Sequence, residues 1–197
     1  NKLLDVKPKT FTSGSNYYQT EQQVRTAVNG AYSILQNLNT GGNYWIFTEV
    51  RADNTTYQYN PNNRCCITRE QVDEFLNTAT DRYTETVWSV LYNGIQQCNV
   101  ILGRIDGVTF SDEAKKKQYI GEAKFLRGLL YFNLVRLFGG VPLRVEEVRG
   151  PTDAFTDERA SVDAVYTQII QDATDAAVNL PASYSGAEKG RATRGAA

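Results

Sequence analysis

The feature that most constrains the fold is a long apolar stretch from Glu122 to Leu143, which contains the sequence Gly-Gly-Val-Pro at residues 139–142. Its apolar residues fall on two sides of a helix with 3.6 residues per turn. One side carries Ile120, Ala123, Leu126, Leu130, Leu134 and Leu137, and the other carries Phe125, Leu129 and Phe132. A helix that is apolar on two sides needs neighbours on both. The sequence therefore predicts a central core helix in an all-α domain.

Composition limits the class of protein. The chain has 197 residues, of which 41% are hydrophobic and 22% charged, so one domain can bury a sizeable core. A formal net charge of -1 gives no basis for binding nucleic acid or an anionic bilayer surface. No apolar run reaches the roughly 20 residues of a membrane-spanning helix. The sequence contains no histidine, which excludes Ser-His and Cys-His nucleophile pairs and imidazole metal ligands within this chain.

Four helices can be read from caps, periodicity and stop signals. The first begins at a capping box, Thr20 to Gln23, and ends at Gly41-Gly42. The next tract runs from about Gln71 to Ile105. Ser111 is the predicted cap of the central helix, and Ser161 caps a helix that stops at Pro181. Short connections predict antiparallel helix pairs, with residues 43–68 as a long ordered loop.

The string from Glu122 to Leu143 resembles the signature helix of the SusD/RagB family of Bacteroidetes outer-membrane lipoproteins. That signature typically reads Glu-Ala-Arg-Phe-Leu-Arg-Ala and ends in Phe-Gly-Gly-Val-Pro. Lys124 and Gly128 are the differences here, and Gly128 suggests close backbone packing, as does Gly94. The resemblance extends along the chain through the segments 3–8, 159–161, 180–181 and 190–193. It implies tetratricopeptide-like helix pairs in one N-terminal helical domain, residues 1–197, truncated at its C-terminus.

The resemblance also implies a function. Family members start at a lipidated cysteine, which would lie upstream of residue 1, and they sit on the outer membrane over a SusC-like TonB-dependent transporter. A non-catalytic role in binding an oligosaccharide follows, with no cofactor and no metal. Two alternatives stay open at this stage. One is peptide import of the RagB type, and the other is a helical-repeat adaptor that binds another protein.

The candidate ligand residues lie in the loop after the first helix, which combines aromatic rings with amide and charged groups. An aromatic ring can stack on the C–H face of a sugar, and amides can hydrogen-bond its hydroxyls. In the starch-binding founder of the family, this loop carries a Trp-x-Trp pair followed by an Asn. Aligned through Asp53, these positions fall on Tyr57, Tyr59 and Asn62. Trp45 and Tyr44 are interpreted as packing anchors beneath the loop.

The remaining polar residues have structural interpretations. We expect Arg51 and Asp53 to form an ion pair or caps, and Arg127 and Arg136 to be buried with carbonyl or carboxylate partners. Trp88 is assigned to the core. The dispersed carboxylates are assigned to solvated faces: Asp5, Glu21, Asp73, Glu74, Asp112, Glu113, Asp157, Glu158, Asp172 and Asp175.

The three cysteines leave the redox state open. Cys65 and Cys66 could form a vicinal disulfide, or one of them could pair with Cys98. Alternatively, Cys98 is a small buried hydrophobe, because it lies on the apolar stripe of a helix.

Overall fold

A computed structural model describes residues 17–40, 44–58, 60–62, 67–150, 153 and 158–197. These residues form five α-helices and no β-strand, with an isolated antiparallel bridge between Pro142 and Arg159. The helices are α1 (Glu21–Thr40), α2 (Ile67–Asp73), α3 (Arg82–Arg104), α4 (Glu113–Phe138) and α5 (Val162–Asn179). A π-helix spans Ile46–Val50, and 3₁₀ turns span Ile105–Gly107, Gly186–Glu188 and Arg194–Ala196.

Helix α4 lies at the centre of the molecule, because it packs against α1, α3 and α5. Its buried side chains point in several directions around the helix axis. They include Tyr119, Glu122, Ala123, Leu126, Arg127, Leu130, Tyr131, Leu134 and Val135. The prediction of a central core helix in an all-α fold is confirmed.

Helices α3, α4 and α5 run alternately antiparallel, as the contacts between their residues show. The residue number increases along α4 while that of its contact in α5 decreases, in the pairs Gly121 with Asn179, Gly128 with Ile169, and Phe132 with Tyr166. The same holds for α3 and α4, in the pairs Trp88 with Phe138, Gly94 with Leu130, and Asn99 with Arg127. The predicted antiparallel helix pairs are therefore present.

Two glycines allow these helices to approach closely. A Cβ atom placed on Gly94 of α3 would lie 2.7 Å from Leu130 Cδ1 and 2.8 Å from Ile34 Cγ2, both on neighbouring helices. A Cβ atom on Gly128 of α4 would lie 3.4 Å from the Asp172 Cβ atom of α5. Both positions had been expected to be close-packing points, and both are.

Local sequence signals explain most helix ends. The Thr20 N–H donates to Gln23 Oε1 at 3.1 Å, and the Gln23 N–H donates to Thr20 Oγ1 at 3.3 Å, which is the predicted capping box. Ser161 caps α5 as predicted. The cap of α4 is Asp112 rather than Ser111, since the Ala114 N–H donates to Asp112 Oδ1 at 2.8 Å.

The central helix stops at its paired glycines. Gly139 has a φ of 70°, in the left-handed region that an L side chain rarely adopts, and its N–H donates to the Val135 carbonyl. The guanidinium of Arg159 donates to the carbonyls of Phe138 and Gly140, which satisfies acceptors left free at the helix end.

Two boundaries differ from the sequence prediction. The tract predicted from Gln71 to Ile105 is two helices, because the chain leaves α2 at Asp73 and re-enters a helix at Arg82. The predicted loop of residues 43–68 contains the π-helix at Ile46–Val50 and the start of α2. Gly41-Gly42 and the matching segment at residues 3–8 lie outside the described residues.

Candidate functional site

Two of the three candidate ligand residues, Tyr57 and Asn62, lie at the surface between the π-helix and α2. Tyr57 is half-buried and packs against the core, and its backbone N–H donates to Asp73 Oδ2 at 2.8 Å. Asn62 is exposed in a turn, where its N–H donates to the Asn60 side-chain oxygen at 3.0 Å. Tyr57 and Asn62 thus have different surroundings, and Tyr59 lies outside the described residues.

The base of this edge is anchored to the helical stack. The Tyr44 hydroxyl donates to Asn133 Oδ1 of α4 at 2.5 Å, and burial raises the pKa of Tyr44. Ile46 and Phe47, the first two residues of the π-helix, are 0% and 8% exposed. The π-helix is therefore fixed to the core, and the interpretation of Tyr44 as a packing anchor is confirmed.

Trp45 stands between these anchored residues, but its own side chain is not buried. It is 39% exposed, and the Arg69 guanidinium carbon lies 5.7 Å from the centre of its ring. Arg69 in turn donates from Nε to the Tyr83 hydroxyl at 3.0 Å. The interpretation of Trp45 as a buried anchor was wrong. Three segments, the π-helix, α2 and α3, contribute to an aromatic and cationic group at the surface.

Arg51 holds the end of the π-helix against α2. Its guanidinium lies 5.3 Å from the centre of the Phe47 ring and 4.8 Å from that of Phe75, and its Nε donates to the Val72 carbonyl at 2.9 Å. Burial lowers its pKa. Asp53, its expected ion-pair partner, is exposed. Arg51 is held instead by the two aromatic rings, by the Val72 carbonyl and by the Asn77 side-chain oxygen, to which its Nη2 donates.

Two exposed apolar side chains follow α2. Phe75 is 68% exposed and Leu76 is 62% exposed, and Phe75 has a φ of 57°. A positive φ is costly for a bulky residue and is found mostly where the surrounding structure enforces it. This segment thus presents apolar surface next to the loop that carries the candidate ligand residues.

The charges inside the helical stack are fully engaged with one another. Arg127 donates to both carboxylate oxygens of Asp172, at 2.8 and 2.7 Å, and also to Asn99 Oδ1 and to the Val145 carbonyl. The structural assignment of Arg127 is confirmed. Asp172 was wrongly assigned to a solvated face, since it is 1% exposed. Arg136 is exposed and stacks over the Phe132 ring at 5.1 Å, contrary to the expected burial.

A second buried charge joins distant segments. Glu122 is 0% exposed and accepts from Arg191 Nη1 at 2.6 Å and from Gln118 Nε2 at 2.7 Å. Burial raises the pKa of Tyr32 and of Tyr184, and the Glu122 carboxylate raises both further. Glu122 opens the signature string, and Arg191 lies in the matched segment at residues 190–193. The pair therefore ties the end of the chain to α4.

An extended segment after α4 lies along α3. The Tyr92 hydroxyl donates to the Pro142 carbonyl at 2.7 Å. The Asn99 amide donates to the carbonyls of Arg144 and Glu146, at 3.1 and 3.0 Å. A groove of about 910 Å³ runs between this segment and α3, and both charged and apolar side chains line it.

Other chemistry has little support in the described residues. No group of three or more histidine, cysteine, aspartate and glutamate residues that could hold a metal is present among them. Cys98 is a buried free thiol whose pKa burial raises to about 12, as expected of a small buried hydrophobe, while Cys65 and Cys66 lie outside the described part. Trp88 packs between Tyr92 and Phe138, as predicted for a core residue. None of the described helices is long and apolar enough to span a bilayer.

Comparisons with known proteins agree with this architecture. A solved laminarin-binding SusD-like protein has 30% sequence identity and a TM-score of 0.80, over 90% of this chain and 38% of its own. A solved SusD-like protein from Bacteroides fragilis has 32% identity and a TM-score of 0.77, over 91% of this chain and 33% of its own. The SusD-like protein P25 of Formosa agariphila is 29% identical over all of this chain and 38% of its own length.

The two solved relatives have the same helical, tetratricopeptide-like fold, and this chain spans 33% to 38% of the length of the three relatives. A family model described as SusD-like, "Starch-binding associating with outer membrane", matches residues 2–197. The chain belongs to the SusD-like family.

Proposed function

We propose that this chain is the N-terminal helical part of a non-catalytic, glycan-binding protein at the surface of the outer membrane. The observation that carries the proposal is its match, at 30% identity and a TM-score of 0.80, to a laminarin-binding SusD-like protein. The distribution of charge supports a binding role rather than a catalytic one. The buried carboxylates Glu122 and Asp172 are held by Arg191 and Arg127, which leaves neither poised as a general acid or base.

We assign glycan contact to Tyr57, Tyr59 and Asn62. In support, the loop is built on an anchored base, and Tyr57 is held by its amide at Asp73 while its side chain remains half-exposed. Asn62 is exposed, so its side-chain amide can reach sugar hydroxyls from solvent. Tyrosine offers a smaller stacking surface than tryptophan, which suits a glycan other than the helical glucan of the founding member.

The proposal extends to a partner and an anchor, which the family resemblance implies. We propose that the protein works with a SusC-like TonB-dependent transporter and is held to the membrane by a lipid attached upstream of residue 1. The rigid helical stack would offer the transporter a scaffold surface, while the loop edge would offer the ligand surface. A single lipid chain binds membranes weakly, so contact with the transporter would add to the anchoring.

Isothermal titration calorimetry tests the binding proposal. The wild-type chain is titrated with laminarin, with soluble starch and with a tryptic peptide mixture, beside the variants Tyr57→Ala, Tyr59→Ala and Asn62→Ala. We expect the wild type to bind a glycan and the variants to bind it more weakly. Tyr166→Ala is the matched control, since Tyr166 is 38% exposed on the distant helix α5. Circular dichroism melting checks that each variant is folded.

Each result has a clear meaning. Heat from the peptides and none from the glycans would replace the proposal with peptide binding of the RagB type. Glycan binding that all three variants retain at full strength would remove the residue assignment and keep the function.

A further inference from the structure

We propose that Trp45 is an additional sugar-stacking position, separate from the three loop residues named above. The inference rests on the proposed function and deepens it by placing a pyranose ring, through its C–H face, on one exposed indole. The sequence favours a packing anchor at Trp45, whereas in the structure this residue is 39% exposed. Large aromatic side chains are mostly buried in folded proteins, so an exposed tryptophan on a fixed backbone calls for an explanation.

The backbone that carries Trp45 is held on both sides. Tyr44 bonds to Asn133 of the central helix, and Ile46, directly after Trp45, is fully buried. Trp45 is the N-cap residue of the π-helix, a rare element that is found frequently at functional sites. A ring on such a base loses little conformational freedom when a ligand stacks on it, which reduces the entropic cost of binding.

Arg69 gives the indole a defined orientation. Its guanidinium carbon lies 5.7 Å from the Trp45 ring centre, and its Nε is held at 3.0 Å by the Tyr83 hydroxyl at the start of α3. The π face of an indole is electron-rich and attracts a cation. The same property attracts the weakly positive C–H groups on one face of a pyranose ring.

Other exposed aromatic residues fit this role less well. Phe75 is more exposed but lacks a polar atom, and its ring is stacked with Arg51. Tyr166 contacts Phe132 on the far helix pair, at 6.4 Å between ring centres. Trp45 combines a large stacking face with an indole N–H that can donate to a sugar hydroxyl.

Intrinsic fluorescence offers a direct test, because the chain has only two tryptophans. In the variant Trp88→Phe, Trp45 becomes the sole tryptophan, and the probe is laminarin, with soluble starch in a parallel titration. We expect the probe that binds in calorimetry to shift the emission of Trp45 and to reduce its quenching by acrylamide. If Trp88→Phe does not fold, the same titration is made with the wild type and with Trp45→Phe.

Calorimetry measures the contribution of the ring. We expect Trp45→Ala to weaken glycan binding about tenfold, which corresponds to roughly 1.4 kcal/mol, and Trp45→Phe to weaken it less. The control Tyr166→Ala should bind as the wild type does. Two outcomes would overturn the inference, and they are distinguishable. Unchanged affinity in Trp45→Ala together with unaltered emission rejects the Trp45 position alone, whereas a wild type that binds neither glycan rejects the proposed function as well.

Discussion

The helical stack, formed by α1, α3, α4 and α5, and the loop edge beside it, residues 44–58, 60–62 and 67–77, differ in which polar and aromatic side chains are buried. In the stack, Arg127 and Asp172 are buried together. Every guanidinium nitrogen of Arg127 and both carboxylate oxygens of Asp172 have a hydrogen-bond partner. At the edge, Trp45, Phe75 and Leu76 are exposed, and Trp45 lies directly beside the buried Ile46. A buried charge pair needs complete pairing to be tolerated, and an exposed aromatic ring has no such stabilising role. The difference supports the proposal that the stack is the structural scaffold and that the loop edge contacts the ligand.

The largest effect should come from breaking the buried pair. Arg127→Ala leaves the Asp172 carboxylate 1% exposed and without its cation, so we expect the free energy of unfolding to fall by about 3–5 kcal/mol. Urea denaturation followed by circular dichroism measures this. The double variant Arg127→Met with Asp172→Leu removes both charges and should regain most of the loss.

A double variant that loses as much stability as the single variants Arg127→Met and Asp172→Leu added together would contradict this account. So would an Arg127→Ala protein that loses less than about 1 kcal/mol, because an exposed ion pair typically contributes that little.

Helix contact in the stack gives the next largest effect. Gly94→Ala places a methyl group within 3 Å of Leu130 and Ile34, which are almost fully buried, so we expect a loss of about 1–2 kcal/mol in the free energy of unfolding. Gly103→Ala is the matched control on the same helix, since nothing lies within 4 Å of its Cβ position. The control should gain up to about 1 kcal/mol of stability from helix propensity. Equal melting temperatures for both variants would refute the proposed close contact.

Local signals made much of the stack predictable. Short-range signals of two kinds gave correct predictions. They are the helix caps at Thr20 and Ser161 and the close-packed glycines Gly94 and Gly128. The break before α3 was missed although a signal existed. Asp81 is an N-cap whose carboxylate accepts from the Tyr83 and Thr84 N–H groups, and the apolar period on both sides of it hid the interruption.

Other features were beyond local reasoning. The burial of Asp172 depends on Arg127, which lies 45 residues earlier in the chain, so the sequence near Asp172 does not predict it. The exposure of Trp45 depends on how the π-helix seats Ile46 and Phe47 in the core. Both are set by tertiary packing, which is why the candidate site was less predictable than the fold.

The loop edge should tolerate changes that the stack does not. Phe75→Asn introduces a residue that tolerates positive φ, which relieves backbone strain, but it removes the ring stacked on Arg51. These effects oppose each other, so we expect a net change below about 1 kcal/mol in the free energy of unfolding. Val72→Ala, three residues away and fully buried, should cost more than about 1 kcal/mol. A greater loss from Phe75→Asn than from Val72→Ala in thermal melts would mean that the edge is part of the core.

The smallest effect should come from the rim of the stack, where Lys124 Nζ lies 2.5 Å from Asp175 Oδ2 with both side chains partly exposed. The hydrogen bond from Lys124 lowers the pKa of Asp175 below its ordinary value of 3.8. A lowered folded-state pKa means that the stabilisation is present above the ordinary value and is lost as the pH falls through the lowered one. We therefore expect Asp175→Asn to cost about 0.5 kcal/mol at neutral pH, and the difference from wild type to disappear toward pH 2–3.

Asp106→Asn is the control, because Asp106 faces Lys116 at 2.9 Å but its side chain is 85% exposed, and its effect should be smaller at every pH. Urea titrations between pH 2 and 7 decide the matter, and a difference for Asp175→Asn that grows as the pH falls would reverse the sign and reject the ion pair as its cause.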